Sequence, residues 1–412
     1  MYHYHNSPTP TPTPTPTLTL NEIIKKYSNT NSITVTVNDL PVVDQDGFSD
    51  LFNKDIPLID VRAQIEFEKG AFLRAVNLPI LDTNERDLVG KSYKNFGQTN
   101  AVNVGRELIE GDPLLERVRR WIEFIKKNPQ AVLYCFRGGL RSKLAQAIIY
   151  EYSNGAVTIP RIVGGQKALR RYLISKLNEL VAKSNFVIIA GKTGSGKTHF
   201  LHKLTNNKSR VIDLEGLANH RGSAFGLISG EQPTQIDFEN NLAQQMMKVC
   251  NGICEGSGVI YLENESRSIG KVQIPDELFK KMQNSPILLL EKTLEERANF
   301  ILETYIKEKY NLHNNHKISC ELLLADMLSS LSKIKQKLGG AKYQECYKLF
   351  EAAHEMLLES GNFENYLHPI VVLLRDYYDP FYDYNQQRKD SRIIFKGREE
   401  ELLSFAFAFP DK

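Results

Sequence analysis

A cysteine at position 135 lies in the stretch YCFRGGLRS, where its neighbours could support thiol chemistry. An apolar, β-prone run precedes it and a helical pattern follows it, which predicts that Cys135 ends a strand and opens a tight loop. Gly138 and Gly139 allow the backbone to curl, and Arg137, Arg141 and the helix N-terminus add positive charge. We therefore expect a lowered thiol pKa and a loop that holds a persulfide, a perselenide or a phosphate. A buried strand-end cysteine without chemistry is the alternative.

The stretch GKTGSGKT at 191–198 satisfies the pattern G-x-x-x-x-G-K-[ST]. It lies between the apolar run NFVIIA and the helical run HFLHKL, and a phosphate-binding loop requires this order of strand, loop and helix. Backbone N–H groups and the lysine of such a loop bind a di- or triphosphate, and the following hydroxyl could hold Mg²⁺. The predicted phosphate-binding residues are Gly191, Gly194, Gly196, Lys197 and Thr198.

Three more residues could act beside this loop. Glu263 and Glu265 follow the apolar run GVIYL at the end of a second predicted strand, where they could reach the same Mg²⁺ ion or simply face solvent. Arg221 lies in LEGLANHRGSAFG, which could wrap a second phosphate-rich group or form an ordinary surface loop.

Cys250 and Cys254 share one helix face. Because no other Cys or His pair lies at ligand spacing, we expect them to pack in the core and predict no metal site.

The elements that position these residues alternate between strands and helices. From Ile33 to about Lys183, the predicted strands are SITVTV, PLIDVR, AVNLP, AVLYCF and TIPRIVGG. A second series follows with NFVIIAG, SRVIDLEG, SGVIYLENES and SPILLLEK, each apolar enough to be buried on both faces. The chain is predicted to be mainly helical after Thr293. This order indicates two α/β domains with parallel sheets, the second carrying a helical C-terminal part.

The predicted domain organisation has three parts. The alternating PTPTPTPTPT segment at 8–17 lacks the donors and apolar area to join a core, so residues 1–32 are expected to form a disordered Pro/Thr-rich tail. The first α/β domain is expected at 33–183. The P-loop domain with its C-terminal helices is expected at 184–412.

The overall composition excludes several classes of protein. The 412 residues are enough for two or three domains, and 52 Lys plus Arg against 49 Asp plus Glu give no net argument for a polyanionic partner. Five scattered cysteines do not form a disulfide framework, which favours a reducing compartment. No apolar run reaches the roughly 18 residues of a membrane span, and the N-terminus lacks the pattern of a secretory signal. We therefore expect a cytoplasmic protein without a membrane segment.

The stretch LIDVRAQIEFEKGAFLRAVNLPI resembles the first conserved box of rhodanese domains. The matching residues are Asp60, Arg62, Glu66, Phe67, Gly70, Ala71, Ala75, Asn77 and Pro79. Cys135 lies at the downstream distance that this resemblance implies for the catalytic cysteine. The spacing from Cys135 to Arg141 also fits the rhodanese-like phosphatases, in which the cysteine attacks phosphorus. The resemblance implies a rhodanese-like first domain and leaves both chemistries open.

Over residues 33–405 the chain resembles the tRNA 2-selenouridine synthase family, in which a rhodanese-like domain is fused to a P-loop domain. The matching stretches, in order, are the first box at 58–79, LDTNERDLVGKSYKNFG, CFRGGLRS, RIVGGQKALRRYL, GKTGSGKT, LEGLANHRGSAFG, ENESRSIG and LLRDYYDPFYDY. The family usually carries tryptophan after the catalytic cysteine, where this chain has Phe136. This difference keeps an aromatic ring at the position.

This resemblance implies a transferase that acts on the wobble uridine of tRNA in two steps. 2-Thiouridine is S-geranylated from geranyl diphosphate, and selenophosphate then supplies selenium to give 2-selenouridine. The Cys135 loop suits the chalcogen, and the P-loop suits the diphosphate leaving group. No tightly bound cofactor is implied. The sequence locates no apolar pocket for the geranyl chain and leaves the oligomeric state open.

Clusters of cations are candidates for contact with the tRNA backbone. On the predicted helix between the domains they are Lys167, Arg170, Arg171 and Lys176. A second basic segment comprises Arg117, Arg119, Arg120, Lys126 and Lys127. Either cluster could instead be a solvated helix face. The aromatic residues Tyr377, Tyr378, Phe381, Tyr382 and Tyr384 could stack on an unpaired base, with packing at a helix end as the favoured alternative.

Two other classes of function remain open from the sequence. One is a P-loop ATPase or kinase, or a phosphatase, with a regulatory rhodanese-like module. The other is a tRNA-binding or sulfur-carrier protein that leaves the base unchanged.

Overall fold

A computed structural model describes residues 18–28, 40–207, 209–221, 230–251, 258–311, 315–386 and 390–408. The chain divides into two compact units, Met1–Lys176 and Leu177–Lys412. The division falls inside one helix, close to the domain boundary expected after residue 183. The Pro/Thr segment at 8–17 and the predicted strand SITVTV lie outside the described residues.

The first unit is built on a parallel five-stranded sheet in the order β1-β5-β4-β2-β3. Its strands are β1 (Val42–Val43), β2 (Leu58–Asp60), β3 (Ala75–Asn77), β4 (Val132–Tyr134) and β5 (Arg161–Ile162). Strands β2 and β4 are buried along their whole length, as expected for central strands of a parallel sheet. Because the strands are parallel, the loops that follow β2, β4 and β5 start from the same edge of the sheet.

Among the described residues, seven helices surround this sheet, and the last of them runs on into the second unit. They are α1 (Leu20–Ser28), α2 (Phe48–Asn53), α3 (Gln64–Phe67), α4 (Thr83–Ile109), α5 (Asp112–Lys127), α6 (Leu140–Tyr152) and α7 (Gly165–Lys183). In α5 the buried residues Leu114, Val118, Trp121 and Ile125 recur at helical spacing, and each stabilises the fold by about 1.5–3 kcal/mol through burial. The Trp121 indole N–H donates to the Leu78 carbonyl oxygen at 2.8 Å.

Helix α1 differs from the disordered tail expected at 1–32. Leu20 and Ile23 are buried and belong to the core cluster of the first unit. The Lys26 ammonium also donates to the Glu151 carboxylate on α6 at 2.8 Å. Apolar residues at i, i+3 and i+4 in LNEIIKKYS carry a helical signal. This signal was overlooked because it lies next to the Pro/Thr repeat. The contacts of Leu20, Ile23 and Lys26 show that residues 18–28 belong to the first unit.

The second unit contains another parallel five-stranded sheet, in the order β12-β11-β6-β8-β7, and a two-stranded antiparallel ribbon, β9 and β10. The strands are β6 (Asn185–Ala190), β7 (Arg210–Ile212), β8 (Val259–Glu263), β9 (Ser268–Ile269), β10 (Val272–Gln273), β11 (Ile287–Leu290) and β12 (Ile393–Gly397). Strand β12 was not expected in the helical C-terminal part. It extends the sheet by pairing with β11.

Most of the second unit after β11 is helical, as expected. The helices are α8 (Lys197–Asn206), α9 (Leu214–Leu217), α10 (Gln235–Cys250), α11 (Asp276–Asn284), α12 (Leu294–Ile301), α13 (Glu308–Tyr310), α14 (His316–Leu338), α15 (Gly340–Ser360), α16 (Leu367–Leu373), α17 (Asp379–Gln386) and α18 (Glu399–Ala408). Two π-helical segments, Leu302–Lys307 and Leu374–Tyr378, follow α12 and α16. The predicted α/β class with parallel sheets and a helical C-terminal part is confirmed.

No helix within the described ranges has both the length and the apolar character needed to span a membrane.

Candidate functional site

The first candidate site is the loop between β4 and α6. Cys135 follows β4 directly and is only 3% exposed, and Gly139 is the N-cap of α6. The Cys135 thiol donates to the Ser142 hydroxyl at 3.2 Å, and that hydroxyl donates to the Gly139 carbonyl oxygen at 3.0 Å. The thiol therefore lies beside the first turn of α6, whose leading N–H groups have no partners within the helix.

The start of α7 fixes the shape of this loop. The Gln166 N–H donates to the Cys135 carbonyl oxygen at 2.8 Å, and the Lys167 N–H donates to the Phe136 carbonyl oxygen at 3.0 Å. A Cβ at Gly165 would lie 2.2 Å from the Cys135 oxygen, so only glycine permits this approach. The stretch RIVGGQK supports the thiol loop through its backbone.

The arginines around the loop have different environments. Arg137 is exposed and lies over the Phe136 ring at 5.7 Å. The Arg141 guanidinium is paired with both oxygens of Glu66, at 2.5 and 3.2 Å. In this state Arg141 is part of an ion pair, and an arriving anion would have to compete with the Glu66 carboxylate.

A third guanidinium, which sequence reasoning missed, belongs to Arg161 on β5. It donates to the Gly138 carbonyl oxygen at 3.0 Å, and burial lowers its pKa. Its Nε atom is buried without a hydrogen-bond partner among the described residues. Arg161 is thus a cation beside the loop that no carboxylate neutralises within the described chain.

The rhodanese-like box has a structural role next to the thiol loop. The Asp60 carboxylate at the end of β2 accepts from the Arg62 guanidinium at 2.6 Å, and both side chains are buried. Arg62 also donates to the Gly70 carbonyl oxygen at 2.9 Å. These bonds hold the segment that carries Glu66, and Glu66 in turn holds Arg141.

The second candidate site is the P-loop between β6 and α8. Gly194 and Gly196 adopt positive φ angles of 81° and 82°, and Gly196 is the N-cap of α8. A Cβ at Gly194 would lie 2.8 Å from a side-chain carbon of Ile301, so a side chain does not fit there. The Lys197 ammonium is 3.5 Å from the Gly191 carbonyl oxygen. This arrangement of a curled loop, a lysine and a helix N-terminus is suited to bind phosphates.

A cavity of about 370 Å³ opens over this loop. It is lined by the predicted site residues Gly194, Gly196, Lys197, Thr198, Arg221 and Glu265. Glu263 does not line it. The Glu263 carboxylate is fully buried and accepts from the Leu214 N–H at 3.0 Å, and burial together with the neighbouring Asp213 raises its pKa well above the usual range.

Glu215, which sequence reasoning did not single out, completes a carboxyl pair in this cavity. The Thr198 hydroxyl donates to the Glu215 carboxylate at 2.7 Å. Burial, followed by the charge of Glu215, raises the pKa of Glu265 to about 8 despite the opposing effect of Lys197. Glu215 lies three residues past the end of β7, in α9. This position was the available signal, because the carboxyl ends of parallel strands meet at one edge.

We expect this pair to make stability depend on pH. The folded state keeps the Glu265 proton up to about pH 8, whereas the unfolded chain releases it near pH 4.5. Unfolding therefore releases a proton in this window, and its free energy falls as pH rises. In Glu265→Gln this contribution is absent, so the fall in Tm between pH 5.5 and 8.5 should be smaller by about a few degrees.

Calorimetry of the full chain across this pH range checks the expectation. Glu359→Gln removes an exposed glutamate of α15 and serves as the matched control. Parallel Tm curves for the wild type and Glu265→Gln would contradict it.

Arg221 lies at the edge of the cavity, but other groups hold its guanidinium. It donates to the Thr304 carbonyl oxygen and, at 2.6 Å, to the Glu308 carboxylate. It also lies over the Tyr305 ring at 4.7 Å. A phosphate contact by Arg221 therefore remains a prediction that requires exchange of these partners.

An ion pair supports the P-loop from the C-terminal part of the unit. The buried Arg297 donates to both oxygens of Asp379, at 2.8 and 2.7 Å, and to the Thr193 carbonyl oxygen at 3.1 Å. Lys192 donates to Asp383 at 2.9 Å. Both aspartates come from the stretch LLRDYYDPFYDY. That stretch fixes the P-loop backbone through its carboxylates.

The two basic segments are each neutralised only in part. On α5, Arg117 pairs with Glu85, Arg119 with Glu116 and Lys127 with Glu123. On α7, Lys167 and Arg171 are exposed and form no ion pair within the described residues, whereas Arg170 is partly buried. Arg120 and Lys126 on α5 are likewise exposed and form no ion pair among the described residues, so both segments stay candidates for contact with a phosphate backbone.

Within the part of the chain that the structure describes, the cysteine pair and the aromatic residues of the C-terminal part show no arrangement that indicates a binding site. Cys250 is the last residue of α10, half-buried and 3.7 Å from the Ser184 hydroxyl, while Cys254 lies outside the described residues. Tyr377 and Tyr378 pack edge to face at 4.9 Å, and Phe381 is 63% exposed. Among the described residues no group of three or more His, Cys, Asp or Glu side chains is placed to hold a metal ion.

Comparison with known proteins assigns the family. A family profile described as the tRNA 2-selenouridine synthase AAA domain matches residues 184–409. The chain is 40% identical to the tRNA 2-selenouridine synthase of Marinobacter nauticus over 88% of its own length and 97% of that protein. It is 39% identical to the tRNA 2-selenouridine synthase of Bordetella petrii, over 88% of this chain and 95% of that protein. It is also 39% identical to that of Sulfurovum sp., over 87% of this chain and 96% of that protein.

A solved structure is also similar, the N-terminal domain of a protein from Clostridium difficile 630 named for ATP/GTP binding. It is 28% identical and covers 32% of this chain and 98% of its own, at a TM-score of 0.29, which is too low to add support for the fold. Because identity near 40% extends along almost the full length of the curated relatives, the chain belongs to the tRNA 2-selenouridine synthase family.

Proposed function

We propose that this protein is a transferase that modifies the wobble uridine of tRNA, converting 2-thiouridine to 2-selenouridine through an S-geranylated intermediate. The observation that carries the proposal is the presence of both required sites in a chain of this family. A buried thiol lies at the N-terminus of a helix in the first unit, and a complete P-loop faces a cavity in the second.

In the first proposed step the sulfur of 2-thiouridine attacks the carbon of geranyl diphosphate that carries the diphosphate. A C–S bond forms, a C–O bond breaks and diphosphate leaves. Lys197 and the N–H groups at the start of α8 bind the diphosphate and stabilise the charge that develops on it. Geranylation makes the sulfur a leaving group. In the second step water takes up the phosphoryl group of selenophosphate, so that the Se–P bond breaks and phosphate is released, and the selenium nucleophile attacks the base carbon that carries the sulfur. A C–Se bond forms there, the C–S bond breaks and geranylthiol leaves.

Mg²⁺ fits the donor set at the P-loop. The Thr198 hydroxyl and the Glu265 carboxyl group, which would release its proton as the ion binds, would hold it, because hydroxyl and carboxylate oxygens are the ligands that Mg²⁺ prefers. Bound there, it would neutralise charge on the departing diphosphate. An ion that takes most of its ligands from substrate and water needs only one or two carboxylates from the protein.

Nucleoside mass spectrometry tests the proposal directly. Transfer RNA that carries 2-thiouridine is incubated with the protein and geranyl diphosphate, with and without selenophosphate. We expect S-geranyl-2-thiouridine with the first donor alone and 2-selenouridine with both. Unchanged nucleosides together with rapid nucleotide hydrolysis in the absence of tRNA would instead favour a P-loop ATPase or kinase.

We also expect α7 to contact the tRNA backbone. Replacing Lys167, Arg170 and Arg171 together by Ala removes three cations from one helical turn, so fewer counterions are released when tRNA binds. The slope of log K against log salt should become shallower by about 2 to 3. Filter binding across a salt series measures it.

The matched control replaces three exposed lysines of α14 and α15, Lys317, Lys333 and Lys348, by Ala. It removes the same charge from the chain and should leave the slope nearly unchanged. Equal slopes for the α7 variant and the wild type would mean that these α7 charges only face water.

A further inference from the structure

A small apolar slot lies next to the P-loop in the second unit. Its volume is about 30 Å³, and its lining includes Ile301, Met327, Phe350 and Leu374. Thr193 of the P-loop and Tyr305 line both this slot and the larger cavity over the phosphates. The two spaces therefore share a wall, and the slot is within reach of a ligand that binds through phosphates at the P-loop.

The residues that line the slot determine which kind of chemical group could bind there. The polar side-chain atoms that the slot presents belong to Thr193, Tyr305 and Tyr378, and no charged residue lines it within the described chain. A nucleoside base and sugar would lose hydrogen bonds to water there without replacement, which is costly. A hydrocarbon chain loses none and gains from burial.

The backbone around the slot is also unusual. The π-helical segments Leu302–Lys307 and Leu374–Tyr378 both contribute to its lining. Such segments are rare and occur mostly as short irregularities at functional sites. Here each one lies between two α-helices, α12 and α13 or α16 and α17, and the first carries Tyr305, which lines both the slot and the larger cavity.

We propose that this slot receives the hydrocarbon chain of the prenyl diphosphate whose phosphates bind the P-loop. The proposal rests on the function proposed above and adds the position of the apolar subsite. A volume of about 30 Å³ holds little more than a water molecule, so the chain enters as the lining side chains move apart. Met327 is suited to this because its unbranched side chain adapts to different shapes.

Chain-length preference is the measurement that reports on this slot. Leu374→Ala enlarges the slot, and Leu331→Ala creates a similar cavity in the same hydrophobic cluster away from the slot lining. Transfer from dimethylallyl, geranyl and farnesyl diphosphate to 2-thiouridine tRNA is compared for both full-length variants. For Leu374→Ala we expect the ratio of kcat/KM for farnesyl over geranyl to rise by about tenfold, and for Leu331→Ala we expect the wild-type ratio.

A filling variant provides a second, opposite test. Met327→Phe puts a larger ring at the slot and should fill it, and the protein should still fold because overpacking of this kind typically costs only about 1–3 kcal/mol. Calorimetric Kd values should rise by about tenfold or more for geranyl diphosphate and should stay the same for inorganic pyrophosphate, which needs only the P-loop. Thermal unfolding of each variant confirms that it is folded.

These outcomes separate the two proposals. Wild-type protein that neither binds geranyl diphosphate nor transfers its chain would overturn the proposed function and this inference with it. Normal transfer by the wild type, with the same chain-length ratio in Leu374→Ala and Leu331→Ala, would overturn the slot alone. Equal weakening of geranyl diphosphate and pyrophosphate binding by Met327→Phe would also count against the slot.

Discussion

A Cys135→Ser variant is expected to stop formation of 2-selenouridine while S-geranylated tRNA still forms and accumulates. Serine preserves the shape of the loop and can keep the hydrogen bond to Ser142, but it lacks the soft nucleophile that handles selenium. Geranyl transfer uses the sulfur of the tRNA itself and needs no protein thiol. Loss of a nucleophile typically lowers a rate by roughly 10⁴-fold or more, so 2-selenouridine should fall below detection.

Chromatography of nucleosides from tRNA treated with the variant and both donors measures the two products. Cys250→Ser is the matched control, because it removes a half-buried thiol from the second unit and should leave both products unchanged. Normal 2-selenouridine from Cys135→Ser would remove Cys135 from the mechanism. Loss of both products would mean that the two activities share one site.

The residue types of the thiol loop could be predicted from the sequence, but their partners could not. The stretch YCFRGGLRS correctly predicted a strand end, a tight loop and a helix start around Cys135. The pairing of Arg141 with Glu66 joins residues 75 positions apart, and no local pattern indicates it. Arg161 was missed for the same reason, because its approach to Gly138 depends on which strands are neighbours in the sheet.

For the P-loop, too, the local motif could be predicted from the sequence and its distant contacts could not. Its strand, glycines, lysine and helix were all predicted because they form one continuous motif. The motif does not reveal what supports it from outside. Arg297 and Asp379 form their buried pair across 82 positions. In the sequence, the stretch that carries Asp379 attracted interest for its aromatic rings, whereas in the structure its carboxylate fixes the loop.

At the level of the fold, the alternation of apolar runs was enough to predict two parallel sheets. Helix α1 and strand β12 were missed because both are short and lie next to segments of different character. Each is stabilised by tertiary contacts, α1 by packing on α6 and β12 by pairing with β11. Local propensity is a weak guide where tertiary contacts decide the structure.

A Lys197→Ala variant is expected to lose most geranyl transfer. The Lys197 ammonium lies in the P-loop cavity, 3.5 Å from the Gly191 carbonyl oxygen, where it can exchange this weak contact for the phosphates of the donor. Charge-assisted contacts to phosphate are among the stronger hydrogen bonds, and loss of one donor that stabilises a developing anion typically lowers kcat by roughly 10²- to 10³-fold. We expect a reduction of this size in the rate of S-geranylation.

Single-turnover assays with 2-thiouridine tRNA and geranyl diphosphate measure that rate. Lys203→Ala is the matched control, because Lys203 lies on the same helix but pairs with Glu399 and does not line the cavity. The proposed two-step order adds a sharper requirement. If Lys197 acts only on the diphosphate, tRNA that has been geranylated beforehand should be converted to 2-selenouridine by Lys197→Ala at close to the wild-type rate. Normal geranylation by Lys197→Ala would separate the P-loop from the prenyl donor, and a defect with pre-geranylated tRNA would give Lys197 a role in the selenium step.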